Sequence, residues 1–129
     1  MVQKFIIGDV VKYKNRIHKI IDILASNGYE LSYVRHPVSP VRLSGVPLTP
    51  EILEKNGWKK GKYGSDFSLS EAFMGGDEDN YTCFQLYYQN KKDGWVIDMR
   101  GEPLKFEIHY IHELQHLLFG FGINHEMEV

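Results

Sequence analysis

Along residues 106–122, FEIHYIHELQHLLFGFG, the apolar positions Ile111, Leu114, Leu118 and Phe121 recur at helical spacing, with Tyr110 and Leu117 on their flanks. That periodicity predicts a helix that buries one stripe. Gly120 and Gly122 weaken its last turn and offer stopping points. His112 and His116 stand one turn apart on the side opposite the stripe, with Glu113 and Gln115 beside them. A helix anchored by its leucines is therefore expected to turn both imidazoles towards water, or towards whatever second layer covers that side.

The rest of the chain reads mostly as short strands. Gly8-Asp9 turns into a strand ending near Tyr13, and Asn15 suits the next turn. In Arg16–Ile23, Ile17, Ile21 and Ile23 fall on one face and Ile20 on the other. Asn27-Gly28 is a hairpin signal, and residues 29–34 form the returning strand. Pro37 and Pro40 interrupt the pattern, after which residues 41–43 offer one more short strand. A Gly-Asp start followed by short twisted strands resembles the opening of small SH3-like barrels.

The clearest local signal is LTPEILEKNGW. Thr49 is the cap, Pro50 occupies the first helical position, and Glu51 and Glu54 suit the positive end of the dipole. Leu48 is placed to staple against Leu53, and Asn56-Gly57 ends the helix. Residues 65–73 read equally as a turn of helix or an edge strand. Tyr81–Gln89 and Gly94–Met99 alternate as a strand pair, and residues 104–108 add a third strand leading into the histidine-bearing helix. Residues 123–129 read as a short strand or a packed tail.

The expected fold class is therefore α+β. It comprises an N-terminal small SH3-like antiparallel sheet, a short capped helix, then an antiparallel meander with the C-terminal helix packed on it. Residues 1–46 form the barrel-type subdomain and residues 47–129 the α+β subdomain, together one compact unit of 129 residues.

Composition changes this picture in two places. The net charge of −2 hides an asymmetry, with ten Lys/Arg against five Asp/Glu in residues 1–60 and five against twelve thereafter. A basic first half suits an acidic partner, although a mixed surface gives the same count. Cys83 is the only cysteine, which excludes an intrachain disulfide and fits a reducing compartment. No apolar run approaches a membrane span or a signal-peptide core, so a cytoplasmic location without membrane contact is expected.

Three further stretches carry weak chemistry. KKGKYG lacks the remainder of a phosphate loop, and residues 75–80 (GGDEDN) lack the alternating ligands and closing Glu of a calcium loop. A pocket lined by Trp58, Tyr87 and Trp95 is indistinguishable at this level from aromatic core.

One motif carries specific chemistry. His112-Glu113-Leu114-Gln115-His116 has the HExxH spacing, in which two histidines hold one Zn²⁺ and the Glu acts as base on its water. Under that alternative the protein is a zinc-dependent metallopeptidase with Glu113 catalytic and His112, His116 and His125 as ligands. The extended HExxHxxGxxH pattern requires Gly at 119 and His at 122, where this chain has Phe119 and Gly122. His125, Glu126 and His109 remain as third donors, none at an established spacing.

IGDVVKY at the start, PLTPEILEKNGW in the middle and YIHELQHLLFGFG near the end together resemble a group of small uncharacterised proteins of Bacteroides-type bacteria and their phages or mobile elements. In that group the positions matching His112, Glu113 and His116 are often Gln, Asn or other polar residues. The resemblance implies that Leu114 and Leu118 are the constrained positions and that the HExxH is incidental. The favoured expectation is a non-enzymatic accessory protein making protein or nucleic-acid contacts, with no cofactor, zinc entering only under the alternative. Spare apolar residues on the C-terminal helix also suit a homodimer.

Overall fold

The computed structural model describes residues 5–26, 28–61, 66–72, 81–89, 94–99, 102–122 and 124–129. Strand β1 (Val10–Tyr13) joins the two halves. Successive strand side chains point opposite ways, and here both directions are buried. Val11 and Tyr13 enter a small apolar cluster with Phe5, Ile20 and Leu31. Val10 enters a larger one with Ile111, Leu114 and Trp95.

Around β1 lies a four-stranded antiparallel sheet in the order β3-β2-β1-β4, with β2 Arg16–Ile23, β3 Tyr29–Leu31 and β4 Ser44–Gly45. The β1–β2 turn places Lys14 (φ 49°) and Asn15 (φ 63°) in the left-handed region, the geometry that matches strand twist in a two-residue hairpin. The pairing of β2 with β3 shifts register between Ile20 and Asp22. This irregularity breaks the expected alternation. Ile20 is buried and Ile23 packs on the small cluster, whereas Ile17 and Ile21 are about half exposed.

β3 stops at Leu31, short of Val34. The strand expected at residues 41–43 is instead a 3-10 turn, Pro40–Arg42, because Pro40 presets its first φ and Leu43 N–H closes onto Pro40 O.

Helix α1 (Pro50–Lys55) forms as its caps dictate. Thr49 Oγ1 accepts from Ile52 N–H at 3.3 Å, and Gly57 lies beyond the C-cap at φ +88°. Leu48, Leu53 and Trp58 are all buried in the larger cluster. Asn56 exchanges two hydrogen bonds with the Glu128 backbone, 2.7 and 2.8 Å, and Met127 is buried. The C-terminal segment is thus a packed tail.

The second sheet is a five-stranded antiparallel meander, β5 (Lys59–Lys60), β6 (Asp66–Ala72), β7 (Tyr81–Gln89), β8 (Gly94–Met99) and β9 (Glu102–Ile108), in sequential order. The ambiguous stretch at 65–73 resolves into β6, an interior strand paired to β5 and β7. Phe67, Leu86, Trp95, Ile97 and Ile108 face the core. Helix α2 (Ile111–Gly120) lays Ile111, Leu114 and Leu118 on them. Burying each such side chain contributes about 1.5–3 kcal/mol. The glycine-rich acidic turn at 75–80 lies outside the described residues. Among the described residues no helix is long and apolar enough to cross a membrane.

Candidate functional site

Helix α2 begins at Ile111, directly after a strand, as expected. Residues up to Ile108 are held in β9, where Trp95 pairs with Ile108 and Val96 with Glu107. Leu48 N–H then bonds His109 O, Pro47 bridges Tyr110, and Ile111 N–H bonds Val46 O. The chain stays extended through Tyr110, the N-cap at φ −123°. Its turn into the helix leaves backbone donors to be satisfied, and Glu113 satisfies two of them. Its Oε1 accepts from the N–H groups of His109 and Tyr110, each at 2.9 Å. The glutamate of HExxH is the N3 residue of a capping arrangement.

The flanking histidines are also committed to structure. His112 is 5% exposed, against the expectation of a solvent-facing ring. It meets Phe5 edge-on at 4.9 Å and stacks on Tyr110 with planes 9° apart. His116 Nε2 lies 2.6 Å from Oδ2 of Asp9, which is fully buried. A carboxylate only accepts, so this nitrogen carries the proton. The same Oδ2 accepts from Ile6 N–H at 2.8 Å.

Between the histidines, Gln115 is fully buried and makes three bonds of 2.9 Å. Its Oε1 accepts from Val10 N–H, and its Nε2 donates to Gly8 O and His125 O. The polar face of α2 is therefore a second buried face. It carries the first sheet and the tail while the leucines carry the meander.

This geometry bears directly on the zinc alternative. His116 Nε2 is occupied by Asp9, Glu113 is turned onto the helix start, and His112 is enclosed by Phe5 and Tyr110. His125 sits against Phe119, ring centroids 5.0 Å apart, with Nε2 3.4 Å from Ile7 O. Among the described residues no three His, Cys, Asp or Glu side chains are grouped to hold a metal ion, which weighs against the metallopeptidase reading.

The cap makes a prediction that separates scaffold from chemistry. Glu113→Ala lowers the unfolding free energy by about 1–2 kcal/mol, and Glu113→Gln, whose amide oxygen still accepts, by less than half of that. Urea denaturation of the two variants measures the difference. Equal losses would mean that the two backbone bonds are not what Glu113 contributes.

Two other features have the makings of a binding surface. A half-open cleft of about 560 Å³ is lined by Pro47, Pro50, Tyr88, Trp95, His109 and Tyr110. Trp95 Nε1 donates to Leu48 O at 3.1 Å, which ties the connector before α1 to the sheet. Two glycines seat the cleft's rings. A Cβ on Gly45 would stand 2.5 Å from the Tyr110 ring, and one on Gly94 would stand 2.6 Å from that of His109. Of the expected aromatic set, only Trp95 lines this cleft, since Trp58 is buried at 4% and Tyr87 lies on the opposite sheet face.

The second feature is the β1–β2 hairpin. It carries Lys12, Lys14, Arg16 and Lys19, with its only described surface acid, Asp22, opposite Glu30 at the far end. Asp9, at its start, is internal and paired to His116. Near the turn, Lys14 Nζ sits 5.4 Å from the Tyr13 ring, and the rings of His18 and His36 lie 6.1 and 6.5 Å away.

Spacing singled out His112, Glu113 and His116 but passed over Asp9 and Gln115. No local pattern marks those two, because their partners lie about a hundred positions away in the chain. No family model matches the chain, and neither the curated proteins nor the solved structures contain a match to it.

Proposed function

We propose that this chain is a non-enzymatic, cytoplasmic binding module, an accessory protein of a phage or mobile element, that contacts nucleic acid through an SH3-like first sheet. The observation that carries the reading is the segregation of charge on the β1–β2 hairpin. Lys12, Lys14 and Arg16 cluster at its turn, while Asp22 and Glu30 sit together at the other end. Cations gathered on one hairpin suit a phosphate backbone, whose neutralisation releases counterions and makes affinity fall steeply with salt. The non-enzymatic part is supported by the engagement of Glu113, Gln115 and His116 in capping, clamping and pairing.

Fluorescence anisotropy with labelled oligonucleotides of mixed sequence, run across a salt series, tests the proposal. Binding is expected at low ionic strength, and its log–log salt slope shrinks by about 1 for each phosphate contact removed. Lys14→Glu with Arg16→Glu is expected to weaken binding at least tenfold without changing thermal stability, since both side chains are exposed. Absence of binding at low salt, or indifference to that pair of substitutions, would refute it.

A further inference from the structure

We infer that the aromatic cleft beside residues 47–50 receives an unpaired base of a single-stranded nucleic acid whose phosphates run onto the β1–β2 hairpin. The inference deepens the nucleic-acid reading and rests on it.

The cleft has the size and chemistry for such a base. Its volume of about 560 Å³ falls inside the usual range for small-molecule sites. Its described lining holds no Lys, Arg, Asp or Glu, so the part of a ligand inside it should be uncharged. Tyr88 and Tyr110 are 38% and 42% exposed, offering ring surface to a planar guest. Any base has a π-face, so stacking of this kind tolerates sequence.

The rings are also held in place before any ligand arrives. Tyr110 lies on Gly45 and against His112, His109 lies on Gly94, and Tyr88 packs on Trp95 with centroids 5.2 Å apart. Rings already fixed lose little freedom on binding. The glycines are needed for this arrangement, because a Cβ at either would enter the ring it supports.

Position links the cleft to the cations. Gly45, under the Tyr110 ring, pairs with Val11, and Tyr13, two residues further along β1 on the same face, has Lys14 Nζ 5.4 Å from its ring. Neighbouring strands lie about 4.8 Å apart, so a nucleotide chain with one base in the cleft reaches the hairpin within a residue or two. A proline-rich peptide is the less suitable occupant. Aromatic grooves also accept such peptides, but the indole donor that would bond a peptide carbonyl is already given to Leu48 O.

The test uses the full chain carrying Trp58→Phe, so that Trp95 is the remaining indole. It is titrated at low salt with a thymidine strand of about ten nucleotides, within the site sizes common for single-strand binders, and with an abasic strand of equal length. The thymidine strand is expected to change Trp95 emission and to bind about 5- to 100-fold more tightly than the abasic one. Tyr88→Leu should remove that advantage, and Tyr88→Phe should retain it.

Equal affinity for the two strands with unaltered emission would overturn the cleft assignment and leave the hairpin reading standing. Failure of both strands to bind would overturn both. An emission change produced by a proline-rich peptide but not by the thymidine strand would assign the cleft to peptide and overturn the inference.

Discussion

Replacing Gln115 by leucine is expected to lower the unfolding free energy by about 3 kcal/mol, the largest single-residue effect on this chain outside the apolar cores. Leucine fills a similar volume, so the loss comes from polar groups. Val10 N–H, Gly8 O and His125 O each lose their bond to the fully buried amide. An orphaned buried donor or acceptor costs about 1–3 kcal/mol. Water reaching the two carbonyls, whose bonds are only part-buried, together with the added apolar contact, offsets some of that. In a domain of this size the change lowers Tm by about 10 °C. Gln115→Glu is expected to do no better, since it keeps the acceptor for Val10 but turns an anionic oxygen on two carbonyls. A leucine variant within about 0.5 kcal/mol of the parent in chemical denaturation would show that the clamp is dispensable.

His116→Ala is expected to cost about 2–3 kcal/mol, for a different reason. It leaves the Asp9 carboxylate fully buried, with Oδ1 lacking a partner and Oδ2 keeping only the Ile6 N–H. Removing the partner of a buried carboxylate typically costs about 3–5 kcal/mol. The lower figure is taken because the His116 side chain is 34% exposed, so solvent can enter the space it vacates. Asp9→Asn in the same background removes the stranded charge and should recover about half of the loss. A double-mutant cycle measures this, and a coupling energy near zero would show that the pair does not hold α2 to the first sheet.

The same variant also tests the zinc alternative. Stoichiometric zinc in protein purified without a metal-affinity tag, and lost on His116→Ala, would overturn the structural account of the motif. A metal-free, folded parent that is destabilised by the substitution would bear that account out.

The elements legible from sequence alone are those set by neighbours in the chain. Thr49, Pro50 and Asn56-Gly57 specify α1 through bonds spanning one to four residues, and they do so here. Lys14-Asn15 forms the expected turn, and the alternation in Tyr81–Gln89 puts Leu86 in the core and Gln85 and Tyr87 outside. The leucine stripe of α2 faces its sheet as its period requires.

The errors have one source, partners far along the chain. The shift between Ile20 and Asp22 arises in pairing with β3 and takes Ile23 to the buried side, away from the face it was expected to share with the exposed Ile17 and Ile21. Periodicity identified the leucines of α2 as one buried side, but an amphipathic pattern cannot say what a polar side will meet.

By itself, then, the sequence determined the α+β order of elements, the short capped helix and the inward leucines, because backbone geometry and hydrophobic period are local properties. Tertiary structure decided what the side chains of HExxH meet. Once α2 is held between two sheets, Glu113 is nearest to the N–H groups of His109 and Tyr110, Gln115 to Val10, Gly8 and His125, and His116 to a buried carboxylate. Burying those groups unpaired would be costly, so packing turns a metal-like spacing into three structural contacts.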